Sequence, residues 1–230
     1  MATDTMGGIN MRSFFAGLIV AAAALGQSAV QAIPMTYTGL YNTGVNAAGV
    51  SQASTTAEAH WCVFIGSSSS CDTPFVYADP SGYPIPPWLS GPAGGASGWI
   101  SPFLNTFGVL NEIYTYRYQF TGVSGPLAAR DAHDDDLLGI KLFNVTTSLL
   151  VNTFSDSLPV HSFANWGSAI MLAASLNAAD IYYLDYRVLN NGGGPTGLRV
   201  EFVPEPASLA LTGLALGLLV AYRRRTRQPL

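Results

Sequence analysis

The sequence predicts an all-β fold, a two-sheet antiparallel β-sandwich, on three observations. Charged residues make up only 10% of the 230, against about 25% in ordinary soluble domains. The chain carries 24 glycines, 14 prolines and 11% aromatic residues, a composition that breaks helices and punctuates short strands. Between residues 33 and 203 no long 3.6-residue period appears, and hydrophobic positions alternate instead, the mark of half-buried antiparallel strands.

The strands follow in chain order. Residues 36–41 and 60–65 are the first candidates. Tyr114, Tyr116, Tyr118 and Phe120 then share one face, with Thr115, Arg117 and Gln119 on the other. Residues 137–143 and 149–154 come next. Tyr182, Leu184, Tyr186 and Val188 alternate with Tyr183, Asp185 and Arg187, and Leu198, Val200 and Phe202 alternate with Arg199 and Glu201. The run Asn190-Asn191-Gly192-Gly193-Gly194-Pro195 is a turn between the last two. Residues 168–177 fit either a short helix or a buried strand with a turn. Residues 80–102 are too rich in Pro and Gly for regular structure and form a long loop, a length that often serves function.

Both ends read as targeting segments. Arg12 precedes an uninterrupted apolar run at 14–25, and Val30-Gln31-Ala32 places small residues at a cleavage site. Residues 1–32 therefore form a signal peptide handled by the general secretion machinery. At the other end, residues 207–222 lack any charge, and Arg223, Arg224, Arg225 and Arg227 follow. A run of this kind is a short transmembrane helix with a basic cytoplasmic flank. The exported domain between them is 33–203. It has five basic and twelve acidic residues, 5 − 12 = −7, which argues against nucleic acid, whose binding depends on Lys and Arg neutralising phosphates.

Within that domain Cys62 and Cys71 are the two cysteines. In an oxidising compartment so close a pair closes a hairpin loop; two buried thiols are the alternative. Asp131, Asp134, Asp135 and Asp136, with His133 among them, are the densest polar cluster. Clustered carboxylates are what Ca²⁺ requires, although the spacing fails the EF-hand pattern, and a solvated acidic loop is the plainer reading. Trp88 and Trp99, flanked by Pro and Gly in the long loop, are candidates for stacking on sugar rings, against the ordinary fate of tryptophan in a core. For catalysis no residues are assigned: His60, His133 and His161 are scattered, and neither a Gly-x-Ser-x-Gly elbow nor a phosphate-binding glycine loop occurs.

Pro204, Glu205 and Pro206, then the short apolar segment, then Arg223, Arg224 and Arg225, in that order, resemble the PEP-CTERM sorting signal. The resemblance implies that 204–230 is read by an exosortase, which cuts near Pro204-Glu205-Pro206 and passes the domain to the cell surface or beyond; a plain C-terminal anchor is the alternative. Leu40-Tyr41-Asn42-Thr43-Gly44-Val45, Ala59-His60-Trp61, Pro84-Ile85-Pro86-Pro87-Trp88, Tyr114-Thr115-Tyr116-Arg117 and Pro195 through Glu201 are similar to a body found among such proteins. That body is similar in turn to galactose-binding-like jelly rolls. It implies a jelly-roll-like sandwich, a non-catalytic and carbohydrate-binding role toward extracellular polysaccharide, and a structural calcium. Where such bodies read Arg-Trp-x-x-Asp-Asn, this chain has Arg130-Asp131-Ala132-His133-Asp134-Asp135. The rival roles are a structural or interaction protein without a small ligand, and a secreted hydrolase.

Overall fold

Alternation that puts aromatic rings on one side of a strand requires a second layer to cover them, and the computed structural model supplies it. It describes residues 39–77, 88–89, 97–154 and 162–203. Ten strands are present among them: β1 (Trp61–Ile65), β2 (Phe75–Tyr77), β3 (Trp99–Ser101), β4 (Glu112–Thr121), β5 (Leu127–Asp134), β6 (Asp136–Asn144), β7 (Leu149–Phe154), β8 (Ile170–Ala173), β9 (Ile181–Asn190) and β10 (Gly197–Phe202). They form two five-stranded sheets, ordered β1-β4-β9-β6-β7 and β2-β3-β10-β5-β8, with every pairing antiparallel. The fold is all-β, as the alternation predicts.

The shared core lies between the sheets. Tyr114, Tyr116, Tyr118 and Phe120 of β4 and Tyr182, Leu184, Tyr186 and Val188 of β9 face Leu127, Ala129, Leu198, Val200 and Phe202 of the other sheet. Registers such as Tyr116↔Tyr186 and Tyr118↔Leu184 keep the two inward sets level. Trp61 stacks on Tyr118 at 5.1 Å, and Tyr118 on Phe120 at 5.5 Å. Offset aromatic contacts of this kind add to burial itself.

Three sequence expectations change, and one open alternative is decided. Residues 39–41 are not strand: they lead into a strap whose residues 42 and 43 lie beside β10, and 36–38 lie outside the described residues. Of the two readings left open for residues 168–177, the strand is the one present, as β8. The expected loop 80–102 contains β3. The acidic run at 130–134 is strand β5, buried through most of its length.

The strap explains the motif at 40–45. β3 is short and pairs with β10 only at Leu198, so the rest of that side of β10 needs other partners. Asn42 Oδ1 accepts the Phe202 amide at 2.8 Å, and Thr43 Oγ1 accepts the Val200 amide at 2.9 Å while donating to Gly98 O at 2.7 Å. Gly44 has φ +71°, and a Cβ there would lie 2.7 Å from Gly98 Cα, so only glycine fits. Glu58 Oε2 accepts the Gly44 amide at 2.9 Å and Oε1 the His60 amide at 3.1 Å. Burial pushes the Glu58 carboxyl up to about 7, against the opposing pull of those backbone bonds. The His60 ring stacks on Tyr41 at 3.8 Å.

Candidate functional site

The outward face of the second sheet gathers most of the remaining chemistry. Alternation turns Tyr77, Trp99, Arg130, Ala132, Asp134, Arg199 and Glu201 away from the shared core. The registers Arg130↔Glu201, Ala132↔Arg199 and Asp134↔Gly197 set them side by side. This face is covered: Trp88 and Leu89 lie over it from one side and Phe163 to Trp166 from another, making a second small core with Tyr77, Trp99 and Ala132.

Trp88 and Trp99 stack on each other at 4.4 Å with 27° between planes. They are 5% and 0% exposed. Trp99 Nε1 donates to Leu89 O at 3.0 Å, and Trp88 Nε1 donates to Asp134 Oδ2 at 2.6 Å. The expectation of open stacking faces is therefore corrected. Trp99 lies in a strand rather than a loop, and each ring is the other's cover. Gly197 makes the room, since a Cβ there would stand 2.8 Å from Trp88 Cη2 and 3.0 Å from Ile100 O.

Arg199 is buried beside them. Its Nε donates to Ser97 Oγ at 2.8 Å, one terminal nitrogen to Leu89 O at 3.0 Å and the other to Ser97 O at 3.0 Å. Burial lowers its guanidinium to about 10, the charge of Glu201 opposing. Ser97 Oγ donates in turn to Glu201 Oε1 at 2.7 Å, and Glu201 Oε2 accepts Arg130 Nε at 3.0 Å. The Trp166 ring lies 4.4 Å from the Arg130 guanidinium carbon and 4.9 Å from that of Arg199, cation–π distances. Trp166 and Arg130 are partly exposed, so these two form the open rim of an otherwise closed network. Nothing in the sequence marks Arg199 as buried or Glu201 as partly covered. Their alternation with Leu198, Val200 and Phe202 reads as a solvent face until the second cover is known.

The four aspartates do not converge. Asp131 and His133 pair with Val200 and Leu198 and so point into the shared core, where Asp131 Oδ2 lies 2.9 Å from His133 Nδ1. Asp134 points the other way, to Trp88. Asp135 Oδ2 accepts the Gly192 amide at 2.8 Å, and Asp136 accepts from Asn191 Nδ2. Among the described residues no group of three or more His, Cys, Asp or Glu side chains is arranged to hold a metal ion. The expected calcium set is corrected for a plain reason: strand geometry sends neighbouring carboxylates to opposite faces. Asp134 is pushed up to about 8 by burial first, and then by its hydrogen bond with Asp135. It therefore holds a proton at neutral pH. The Tyr116 and Tyr186 hydroxyls, inside the shared core, are fully buried with no hydrogen-bond partner, and burial raises both far above the ordinary tyrosine value.

Cys62 and Cys71 are joined, with Cα atoms 5.4 Å apart. On the outward face of the first sheet, Arg117 is held by Asp185 through two bonds of 2.7 Å and lies 3.8 Å from the Tyr183 ring. Residues 1–32, His161, Pro204, Glu205, Pro206, Arg223, Arg224 and Arg225 lie outside the described residues. Among the described residues no helix is long and apolar enough to cross a membrane.

No family model matches the chain. No curated protein matches it either. Among solved structures it is similar to an arabinose-bound GH51 α-L-arabinofuranosidase, at 10% identity and a TM-score of 0.37, over 77% of this chain. The chain spans 30% of that enzyme's length.

Proposed function

We propose that this chain is an exported bacterial surface protein, led out by residues 1–32 and sorted by an exosortase through 204–230, with a jelly-roll-like, non-catalytic domain between. The observation that supports export is the Cys62–Cys71 disulfide, because structural disulfides persist outside the reducing cytoplasm. Its rival, cytoplasmic residence, predicts two thiols. The deciding measurement is the intact mass of protein recovered from the cell envelope and medium. It should start at Ile33, lack two hydrogens for the closed bridge, and lack residues 207–230.

For the domain itself the geometry favours a structural or interaction role. Trp88 and Trp99 are spent on each other, and the Asp131–His133 pair is sealed at 1% and 0% exposure, out of a substrate's reach. A second reading, attachment to extracellular polysaccharide, is favoured by Trp166, an indole on the rim beside the Arg130 guanidinium. A glycan array with residues 33–203 separates the two. Binding abolished by Trp166→Ala supports attachment; no retained glycan supports the structural role.

A further inference from the structure

The two poles of the domain differ in kind. One pole is made by the turns 121–127, between β4 and β5, and 144–149, between β6 and β7, with the loop 174–180 leading into β9. The registers Thr121↔Ile181, Asn144↔Leu149 and Asn144↔Tyr182 hold these together, and the Val145 amide donates to Ile181 O at 2.8 Å. Three apolar side chains stand out from it: Val145 is 40% exposed, Leu149 63% and Ile181 41%. Asp180 is the one charged residue in these three connections, and its carboxylate is taken up by Asn144 Nδ2 at 2.8 Å. Thr, Ser, Gly, Ala and Asn make up most of the rest.

The chain leaves the sheet at this same pole. β10 ends at Phe202 beside Ala129 near the start of β5, and the Val203 amide donates to Ala128 O at 3.0 Å. Only Pro204, Glu205 and Pro206 separate Val203 from the uncharged run that begins at Ala207. Fully extended, those four steps reach about 14 Å. The opposite pole carries Glu112, Asp135 and Asp136, and it lies one strand length away, about 30 Å along the ten-residue β9. Exposed Leu104, Phe107, Val109 and Leu110 lie there too, but the linker cannot bring that end to the surface that 207–222 enters.

We propose that the pole carrying Val145, Leu149 and Ile181 rests on the lipid bilayer that the C-terminal segment enters. The inference rests on reading 207–222 as a membrane span. Short tether, little charge and outstanding apolar side chains are what an interfacial contact needs: apolar groups enter the headgroup region, and the Asp180 carboxylate keeps Asn144 Nδ2 as its partner. Docked so, the domain presents its acidic pole outward and holds residues 204–206 at the membrane surface, where a membrane protease works.

The test is lipid photocrosslinking of the full chain in phosphatidylcholine vesicles containing a diazirine-bearing phosphatidylcholine, with adducts mapped by mass spectrometry. The expected result is adducts on 207–222 and on 145–150 and 181, the latter at least tenfold above those on 104–110. Leu149→Asp with Ile181→Asp should cut the pole adducts at least fivefold and leave the tail adducts unchanged. Tail adducts with equal labelling of both poles, or with labelling at 104–110 instead, would overturn this docking and leave the membrane span standing. No adducts on 207–222 would overturn the span and the docking together.

Discussion

The Asp134 carboxyl receives the Trp88 indole N–H at 2.6 Å while sharing a hydrogen bond with Asp135, and it keeps its proton to about pH 8. One aromatic cover of the second sheet is therefore fastened to an acid that works in its neutral form.

Stability should fall as pH rises. Asp134 is raised from 3.8 to about 8 and Glu58 from 4.5 to about 7. Both folded values exceed the unfolded ones, so the unfolded chain gives up these protons first. The contribution is fully present below about pH 4 and is lost progressively from there up to pH 7 to 8, a total of roughly 2–5 kcal/mol after discounting for partial solvation. Thermal melts from pH 4.5 to 8.5 should show Tm declining by roughly 5–15 °C. A flat profile would contradict the burial of these acids.

Asp134→Asn isolates one of the two groups. The amide oxygen can accept from Trp88, and the amide nitrogen can donate to Asp135, so the neutral geometry is kept. This variant should match the parent near pH 4.5 and exceed it by roughly 1–3 kcal/mol at pH 8.5. Chemical denaturation at the two pH values reads the difference.

Gly197→Ala should loosen the Trp88–Trp99 pair. A new methyl within 3.0 Å of a backbone oxygen and of the Trp88 ring is overpacking, at a cost of roughly 1–3 kcal/mol. Near-ultraviolet circular dichroism should lose intensity in the tryptophan band before any global unfolding. Unchanged spectra would mean that the ring has other room.

Replacing Cys62 and Cys71 together by serine should destabilise the domain by roughly 2–3 kcal/mol, the loop-closure value for so short a ring. Urea unfolding of both forms, with the parent kept unreduced, measures it.

Glu205→Ala tests the sorting reading directly. In a host carrying an exosortase the parent should lose residues 207–230, and the variant should keep them. Intact-mass measurement of both settles the matter; retention in both means a simple anchor.

Much of the fold is legible in the sequence because period two is a strong signal wherever one face is dry and the other wet. β4, β9 and β10 fall within two residues of where alternation puts them. β5 is hidden for the opposite reason. Asp131 and His133 are hydrogen-bonded to each other inside the core while Ala132 and Asp134 lie under a second cover, so neither face reads as apolar. The site suffers likewise. Trp88 and Trp99 are conspicuous but inward, whereas Arg199 and Glu201 look solvated until one knows that Leu89, Ser97 and Trp166 close over them. Short β2 and β3 owe their existence to long-range pairing, which no local window contains.

The Cys62–Cys71 bond has a consequence for how the molecule behaves in company. β1 is the last strand of its sheet, and its outer rim would offer free amides and carbonyls to any neighbouring chain. Val63 instead gives its amide to Asp72 O at 2.8 Å and takes the Asp72 amide at 2.9 Å, and the adjoining sulfur bridge pins that segment in place. Unlatched by a reductant, the rim would lie open as a template, and neighbouring molecules would zip together along it. Read this way, the bridge acts as a guard against fibrous self-association, and its loss should show as turbidity in addition to the lower stability.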